Sequence, residues 1–220
     1  MKLSDFLYFY PERGMLDCNT YVIRGEERLM IVDVGRDASI SELVKAMGKD
    51  GLDPKKADFI TNTHLHIDHT AGNQTFQASY GGRVLLTPLQ KACYQISVRQ
   101  TSRFFGLEPI EFEADGVLDS VIDLGGLSVE VIGTPGHSPE STCFYCSESK
   151  ALICGDLLFD QNIGRSDLPG GDSAQMKQSI EKVAALEIEL LLPGHMGIIK
   201  DRTRVEENFE FLRNQVFRWL

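Results

Sequence analysis

The sequence predicts an α+β protein in which sandwiched β-sheets are flanked by outer helices. Three observations carry this expectation. β-rich runs alternate with amphipathic helical segments along the chain. Many neighbouring strands are separated by only a short glycine-containing or polar turn, the spacing of antiparallel hairpins. Crossover helices alone would indicate a doubly wound parallel sheet, but hairpins mixed among them indicate stacked sheets. No repeat, low-complexity tract or linker interrupts residues 1–220, so the chain reads as one domain.

The elements follow in order. Asn19 to Arg24 and Arg28 to Val34 are β-rich and joined at Gly25. Ser39 opens a helix, with Glu42 placed to complete a capping box, and Ile40, Leu43, Val44 and Met47 mark its buried face. Pro54 closes that unit, and Ala57 to Thr63 forms a strand running into THLHIDHTAG. Arg83 to Thr87 is the next strand, and the helix after Pro88 aligns Leu89, Cys93 and Ile96. Two hairpins come next: Ser120 to Leu124 with Leu127 to Gly133, and Ser141 to Cys146 with Ala151 to Cys154. A helix from Asp172 or Ser173 buries Met176, Ile180, Val183 and Ala184, and the strand Ile188 to Leu192 delivers Pro193-Gly194-His195. The last helix has Thr203 and Glu206 as a capping-box pair, with Val205, Phe209, Leu212 and Val216 on one face.

Composition narrows the class. Hydrophobic residues make up 42% of the chain and charged residues 25%, ordinary values for a globular protein. The apolar cluster Phe6 to Tyr10 is too short for a signal h-region and lacks a cleavage site. No run approaches the ~18 apolar residues of a membrane span. These features predict a soluble cytoplasmic protein that engages no membrane. The net charge of −10, from 32 acids and 22 bases, repels polyphosphate backbones and disfavours nucleic-acid partners. A small-molecule substrate is the remaining expectation, and the sequence assigns no oligomeric state.

The five cysteines, at 18, 93, 143, 146 and 154, form an odd and scattered set, as expected of reduced thiols. Cys143 and Cys146 form a single CxxC inside a predicted strand. No second pair completes a structural zinc site, and a redox CxxC would open a helix. Both cysteines are read as buried structural residues.

The chemistry concentrates in His64-Leu65-His66-Ile67-Asp68-His69. After a strand, residues i and i+2 point to the same side, so His64 and His66 can grip one ion. A turn into a helix would aim Asp68 and His69 at a neighbouring position. Four ligand-type residues within six exceed the needs of one zinc ion with an open coordination site, and the spacing points to two metals. The only other histidines, His137 and His195, each follow a predicted strand and a Pro-Gly turn. A lone histidine there would read as a surface residue; with the cluster, all five imidazoles lie at strand ends. Asp156 ends the strand ALIC after Gly155, whose missing Cβ permits close backbone approach. Two cations ~3.5–4 Å apart need an anion between them, which favours Asp156 as a bridge over a turn aspartate.

THLHIDH, TPGH, GD and PGH, in this order, resemble the ligand signature of the metallo-β-lactamase superfamily, from Asn19 to His195. The resemblance implies a four-layer αββα sandwich with its site at one edge of the sheets. It implies that His64, His66 and His137 bind a first metal, that Asp68, His69 and His195 bind a second, and that Asp156 bridges them. It also implies two divalent ions, zinc first, with iron or manganese as alternatives. The stretch GRSDLPGGD, Gly164 to Asp172, is similar to a loop of glyoxalase II-like hydrolases. Arg165 and Asp167 are expected to fix that loop by local hydrogen bonds, and Asp172 to cap the following helix.

The resemblance implies hydrolysis of a thioester or similar ester by a hydroxide shared between two cations, with Asp68 orienting it as the catalytic carboxylate. Full-length glyoxalase II adds a helical domain with basic glutathione contacts, whereas only 25 residues follow His195 here. The tyrosine expected after the last histidine is also missing, since Met196-Gly197-Ile198-Ile199 follows. The short glyoxalase II-like group is therefore the nearer match, and basic contacts to substrate reduce to Arg165, Lys200, Arg202 and Arg204. Three alternatives stand beside thioester hydrolysis. A persulfide dioxygenase would hold one iron through His64, His137 and Asp156; a lactonase or other ester hydrolase would use the same two-metal site; and a binding protein would use the scaffold without catalysis.

Overall fold

The computed structural model describes residues 1–220. Two six-stranded sheets lie face to face. The first contains β1 (Leu7–Tyr10), β2 (Thr20–Arg24), β3 (Leu29–Val32), β4 (Phe59–Thr61), β5 (Arg83–Leu86) and β6 (Gly116–Val117), hydrogen-bonded in chain order. β1 to β3 pair antiparallel, whereas β3 to β6 are parallel, with helical crossovers between them. The second half of the chain supplies β7 (Val121–Asp123), β8 (Ser128–Gly133), β9 (Thr142–Cys146) and β10 (Ala151–Gly155). The small hairpin of β11 (Leu158–Phe159) and β12 (Asn162–Ile163) follows, then β13 (Leu190–Pro193) and β14 (Ile199–Lys200). The second sheet has the order β14-β13-β10-β9-β8-β7, antiparallel except between β10 and β13.

Strand alternation sorts the core into three layers of apolar side chains. Leu7, Phe9, Tyr21, Ile23, Met30 and Val32 from the first sheet meet Val129, Phe144, Ile153 and Leu192 from the second. The opposite faces pack against helices. Tyr8, Val22, Ile31 and Ile60 lie with Leu43 and Met47 of α1 (Ile40–Lys49). α2 (Ile67–Thr70) and α3 (Asn73–Tyr80) follow β4, and Phe76 of α3 joins the same layer. Beyond β5 run α4 (Pro88–Tyr94) and α5 (Thr101–Phe104). Cys143, Leu152 and Leu191 lie with Met176, Ile180 and Val183 of α6 (Ser173–Ala184) and with Val205 and Phe209 of α7 (Arg202–Phe211). The result is the expected αββα sandwich. No helix is long and apolar enough to cross a membrane.

Several local expectations differ from the structure. The apolar cluster near the N-terminus is strand β1, paired with β2. Ser39 makes no capping hydrogen bond, because a 3-10 turn over Asp37–Ser39 already holds it in helical backbone. At the last helix Asp201 is the cap, accepting from Thr203 N, while Glu206 accepts from Arg202 Nε at 2.7 Å. The helix after Pro88 buries Gln90, Ser97 and Val98, not the Leu89, Cys93 and Ile96 face. Within α4 itself Gln90, not Leu89, turns inward, and from Gln95 to Gln100 the turns are π-helical, which rotates Ile96 and the positions after it off a 3.6-residue count. The cysteine expectation holds: all five thiols are free, and Cys143 and Cys146 face opposite layers of the sandwich.

Candidate metal centre

All seven sequence-selected residues converge at one edge of the sandwich. β4 ends at Thr61, the chain bends at Thr63 and His64, and it is extended again at His66. Asp68 and His69 then lie in the single turn of α2, for which extended His66 is the N-cap. His137 follows β8, Asp156 follows β10 and His195 follows β13. The parallel pairing of β10 with β13, Gly155 opposite Pro193, carries the last two residues to the same edge. Two glycines make this approach possible. Gly155 has φ +51, and a Cβ there would lie 2.5 Å from Thr63 Oγ1. A Cβ on Gly194 would lie 2.3 Å from Asp156 Oδ1.

Ring nitrogens face one another across the cluster. His66 Nδ1 is 2.9 Å from His137 Nε2, and His69 Nε2 is 3.3 Å from His195 Nε2. An ion bound tetrahedrally at 2.0–2.1 Å separates two nitrogens by about 3.3 Å, so the spacing suits a shared cation. His64 Nε2 and Asp156 Oδ1 are buried with no hydrogen-bond partner, as expected of atoms that accept a metal. The sets His64–His66–His137, His64–Asp68–His69 and His69–Asp156–His195 each bring three ligand atoms within 4.8 Å of one another. The residues fit a divalent-metal site.

Electrostatics keep His64, His66, Asp68 and Asp156 ready for cations, whereas the carboxylates around His69 and His195 favour their protonated forms. Burial first, and neighbouring histidines second, hold His64 well below the usual imidazole range and push His66 down to about 3. Both shifts favour the neutral ring, and the Nε2 atom of each has no hydrogen-bond partner. Burial alone would raise Asp156, but the imidazoles of His195 and His69 beside it outweigh burial and hold the carboxyl well below the ordinary range. Burial opposes ionisation of Asp68 too, yet His69 and His195 lower it.

A second layer orients the rings. Buried Asp33 accepts from Thr63 N and Thr63 Oγ1 and lies 3.0 Å from His69 Nδ1, which leaves Nε2 facing the cluster. Glu12 Oε2 is 2.9 Å from His195 Nδ1, and the Arg165 carbonyl is 2.7 Å from His137 Nδ1. Glu140, fully buried, accepts from Leu65 N between the first two histidines and from Ser97 Oγ. The sequence reading missed Asp33, Glu12 and Glu140. Only Asp33 carried a signal, an acidic residue ending the apolar run LMIV.

The GRSDLPGGD loop behaves as expected. Arg165 donates two hydrogen bonds to Asp167, both 2.8 Å, and Asp172 accepts from Gln175 N at the start of α6. Among the proposed basic contacts, only Arg165 lines the cleft above the cluster. Arg202 pairs with Glu206, Arg204 is 4.0 Å from Asp160, and Lys200 lies outside the cleft.

A His/Asp centre for divalent metal at the edge of an αββα sandwich defines the class, a metallo-hydrolase. The family model of the metallo-beta-lactamase superfamily matches residues 13–195, and the chain belongs to that superfamily. It is 31% identical over 188 residues to the probable metallo-hydrolase YqgX of Bacillus subtilis, covering 83% of this chain and 86% of the relative. A hydroxyacylglutathione hydrolase of Francisella philomiragia is 25% identical over 207 residues, 89% of this chain and 72% of that enzyme. Among solved structures, the BLEG-1 B3 metallo-beta-lactamase superposes with a TM-score of 0.78 at 27% identity, covering 96% of this chain and 99% of that one. TTHA1623 in a di-iron-bound form gives 0.73 at 28%, covering 90% and 96%.

Proposed function

We propose that the chain hydrolyses thioesters or similarly activated esters of small molecules. The observation that carries this reading is the position of Asp156. Its Oδ1 lies 3.5 Å from His69 Nε2, and its Oδ2 lies 3.7 Å from His137 Nε2 and 3.5 Å from His195 Nε2. In this reading Asp156 bridges a site made by His64, His66 and His137 to one made by Asp68, His69 and His195. Bound there, two divalent cations would bring the pKa of a shared water near neutrality and polarise a scissile carbonyl; zinc, iron and manganese all suit this donor set.

The chain's own residues do the rest. Asp68 Oδ2 lies 3.3 Å from His195 Nε2 on the more open side of the cluster. There its carboxylate can accept a proton and fix the attacking direction. Asp33, Glu12 and the Arg165 carbonyl hold three imidazoles with their reactive nitrogens inward. A thiolate leaves without protonation, which suits a cleft whose lining has no lysine and no acid beyond Asp68 and Asp156. The likeness to a hydroxyacylglutathione hydrolase supports the thioester class.

The test is release of free thiol from acyl thioesters by protein confirmed to hold metal. S-lactoylglutathione is expected to turn over with a high KM, because the one cation lining the cleft is engaged by Asp167 and lost ground-state contacts weaken binding without removing the chemistry. Absence of thioesterase activity in fully loaded protein rejects the reading. Oxygen consumption with glutathione persulfide would replace it with the dioxygenase reading.

A further inference from the structure

The cleft above the cluster encloses about 360 Å³, within the range of small-molecule sites. Its floor is polar, with His66, Asp68, His137, Asp156 and His195, but its walls include Leu16, Met196, Phe105, Phe159, Ile163 and Leu168. Three of these wall residues expose much of their surface: Leu16 50%, Met196 56% and Phe105 46%. Apolar side chains left in water contribute little to folding.

Leu16 and Met196 share a second property. Their φ angles are +57° and +64°, the left-handed region that side chains other than asparagine, aspartate and glycine avoid. Such strain persists only where surrounding structure enforces it. Here Glu12 Oε1 accepts from Met196 N, and Asn19 Nδ2 donates to the Met196 carbonyl, so the chain carrying Leu16 is joined to the turn after His195. Phe105 is held independently, with the Arg165 guanidinium 5.7 Å from its ring centroid. Arg165, the one arginine or lysine of the lining, is engaged bidentately by Asp167, so no unpaired guanidinium or ammonium is left for a substrate carboxylate.

We infer that this cleft selects substrates with an uncharged, apolar acyl chain, packed against Leu16, Met196 and Phe105 while the carbonyl reaches the His/Asp floor. The inference rests on the hydrolase reading for the reaction but concerns binding, and it can be read without turnover.

The experiment is calorimetric titration of metal-loaded protein with acetate, butyrate, hexanoate and octanoate. Kd is expected to fall roughly three- to fourfold per added methylene until the cleft is filled, with an increasingly negative heat-capacity change. Leu16→Asn with Met196→Asn keeps residues that tolerate left-handed backbone, and it should flatten the trend at unchanged metal content, as should Phe105→Ser. Equal Kd across the series, or succinate binding more tightly than butyrate, overturns the inference. The matching acyl thioesters separate the two proposals. Chain-length-dependent binding without hydrolysis sustains this inference and removes the hydrolase reading; hydrolysis with length-independent binding does the reverse.

Discussion

Asp33 and His69 form a fully buried carboxylate–imidazole pair, with Asp33 Oδ2 3.0 Å from His69 Nδ1. Asp33 lies just beyond β3 at φ +57°, and its other oxygen accepts from Thr63 N and Asn62 Nδ2. One side chain thus fixes both a ring of the cluster and the chain that enters it. Asp33→Asn tolerates the left-handed backbone and can keep an acceptor for Thr63 N, but it weakens the hold on His69. Metal affinity should fall by about 10–100-fold, measured by chelator competition. Asp33→Ala strands several buried donors and should lower stability by about 3–5 kcal/mol in denaturant titration. Unchanged metal affinity in the Asn variant would contradict an orienting role.

Metal content tests the division of ligands. Protein purified from its native host should carry about two ions per chain, as a bridged site requires, and His69→Ala should lose about one. Full activity with a single bound ion would sink the two-metal reading.

Metal uptake should depend on pH with a definite sign. Burial alone would lower His195, but hydrogen bonds to Asp156 and Asp68 outweigh it and push the imidazole up to about 11. The metal-free ring therefore carries its proton across the neutral range, and the metal must displace it. Affinity should rise with pH through neutrality and fall on acidification, with proton release in weakly buffered titrations. Binding without proton release would show the ring already neutral.

Cys143 and Cys146 point into different layers of the sandwich, so they can neither bridge nor share an ion. Replacing both with alanine should cost about 1–3 kcal/mol through small cavities and leave turnover within a fewfold. A folded, metal-loaded double variant without activity would reassign the CxxC to catalysis.

Glu140 supports the loop between His64 and His66 through Leu65 N at 3.1 Å. Glu140→Ala leaves that buried N–H unsatisfied and should destabilise by about 1–3 kcal/mol. Metal affinity should fall with it, whereas Glu140→Gln, which retains an acceptor, should recover most of both. Equal metal affinity in the two variants would limit Glu140 to packing.

The histidine cluster was legible because His64, His66, Asp68 and His69 crowd four ligand-type residues into six positions, more than one ion with an open coordination site uses. His137, His195 and Asp156 became readable by their shared place after strands. Glu12 could not be read this way: its partner His195 is 183 residues away, and only tertiary folding joins them. Local motifs misled where a neighbour did the same work, as Asp201 caps the last helix in place of Thr203. The exposed Leu16 and Met196 were invisible too, because left-handed backbone at non-glycine residues leaves no mark in composition or period.

The cluster draws four residues from the first sheet's connections, His64, His66, Asp68 and His69, and three from the second's, His137, Asp156 and His195. An ion held by both groups would rivet the N-terminal half of the chain to the C-terminal half at the open edge of the sandwich. By mass action, free metal at a thousand times its dissociation constant adds about 4 kcal/mol to the folded state. With metal bound there, the lifetime of the chain against proteases that attack opened molecules would track the metal supply of its surroundings.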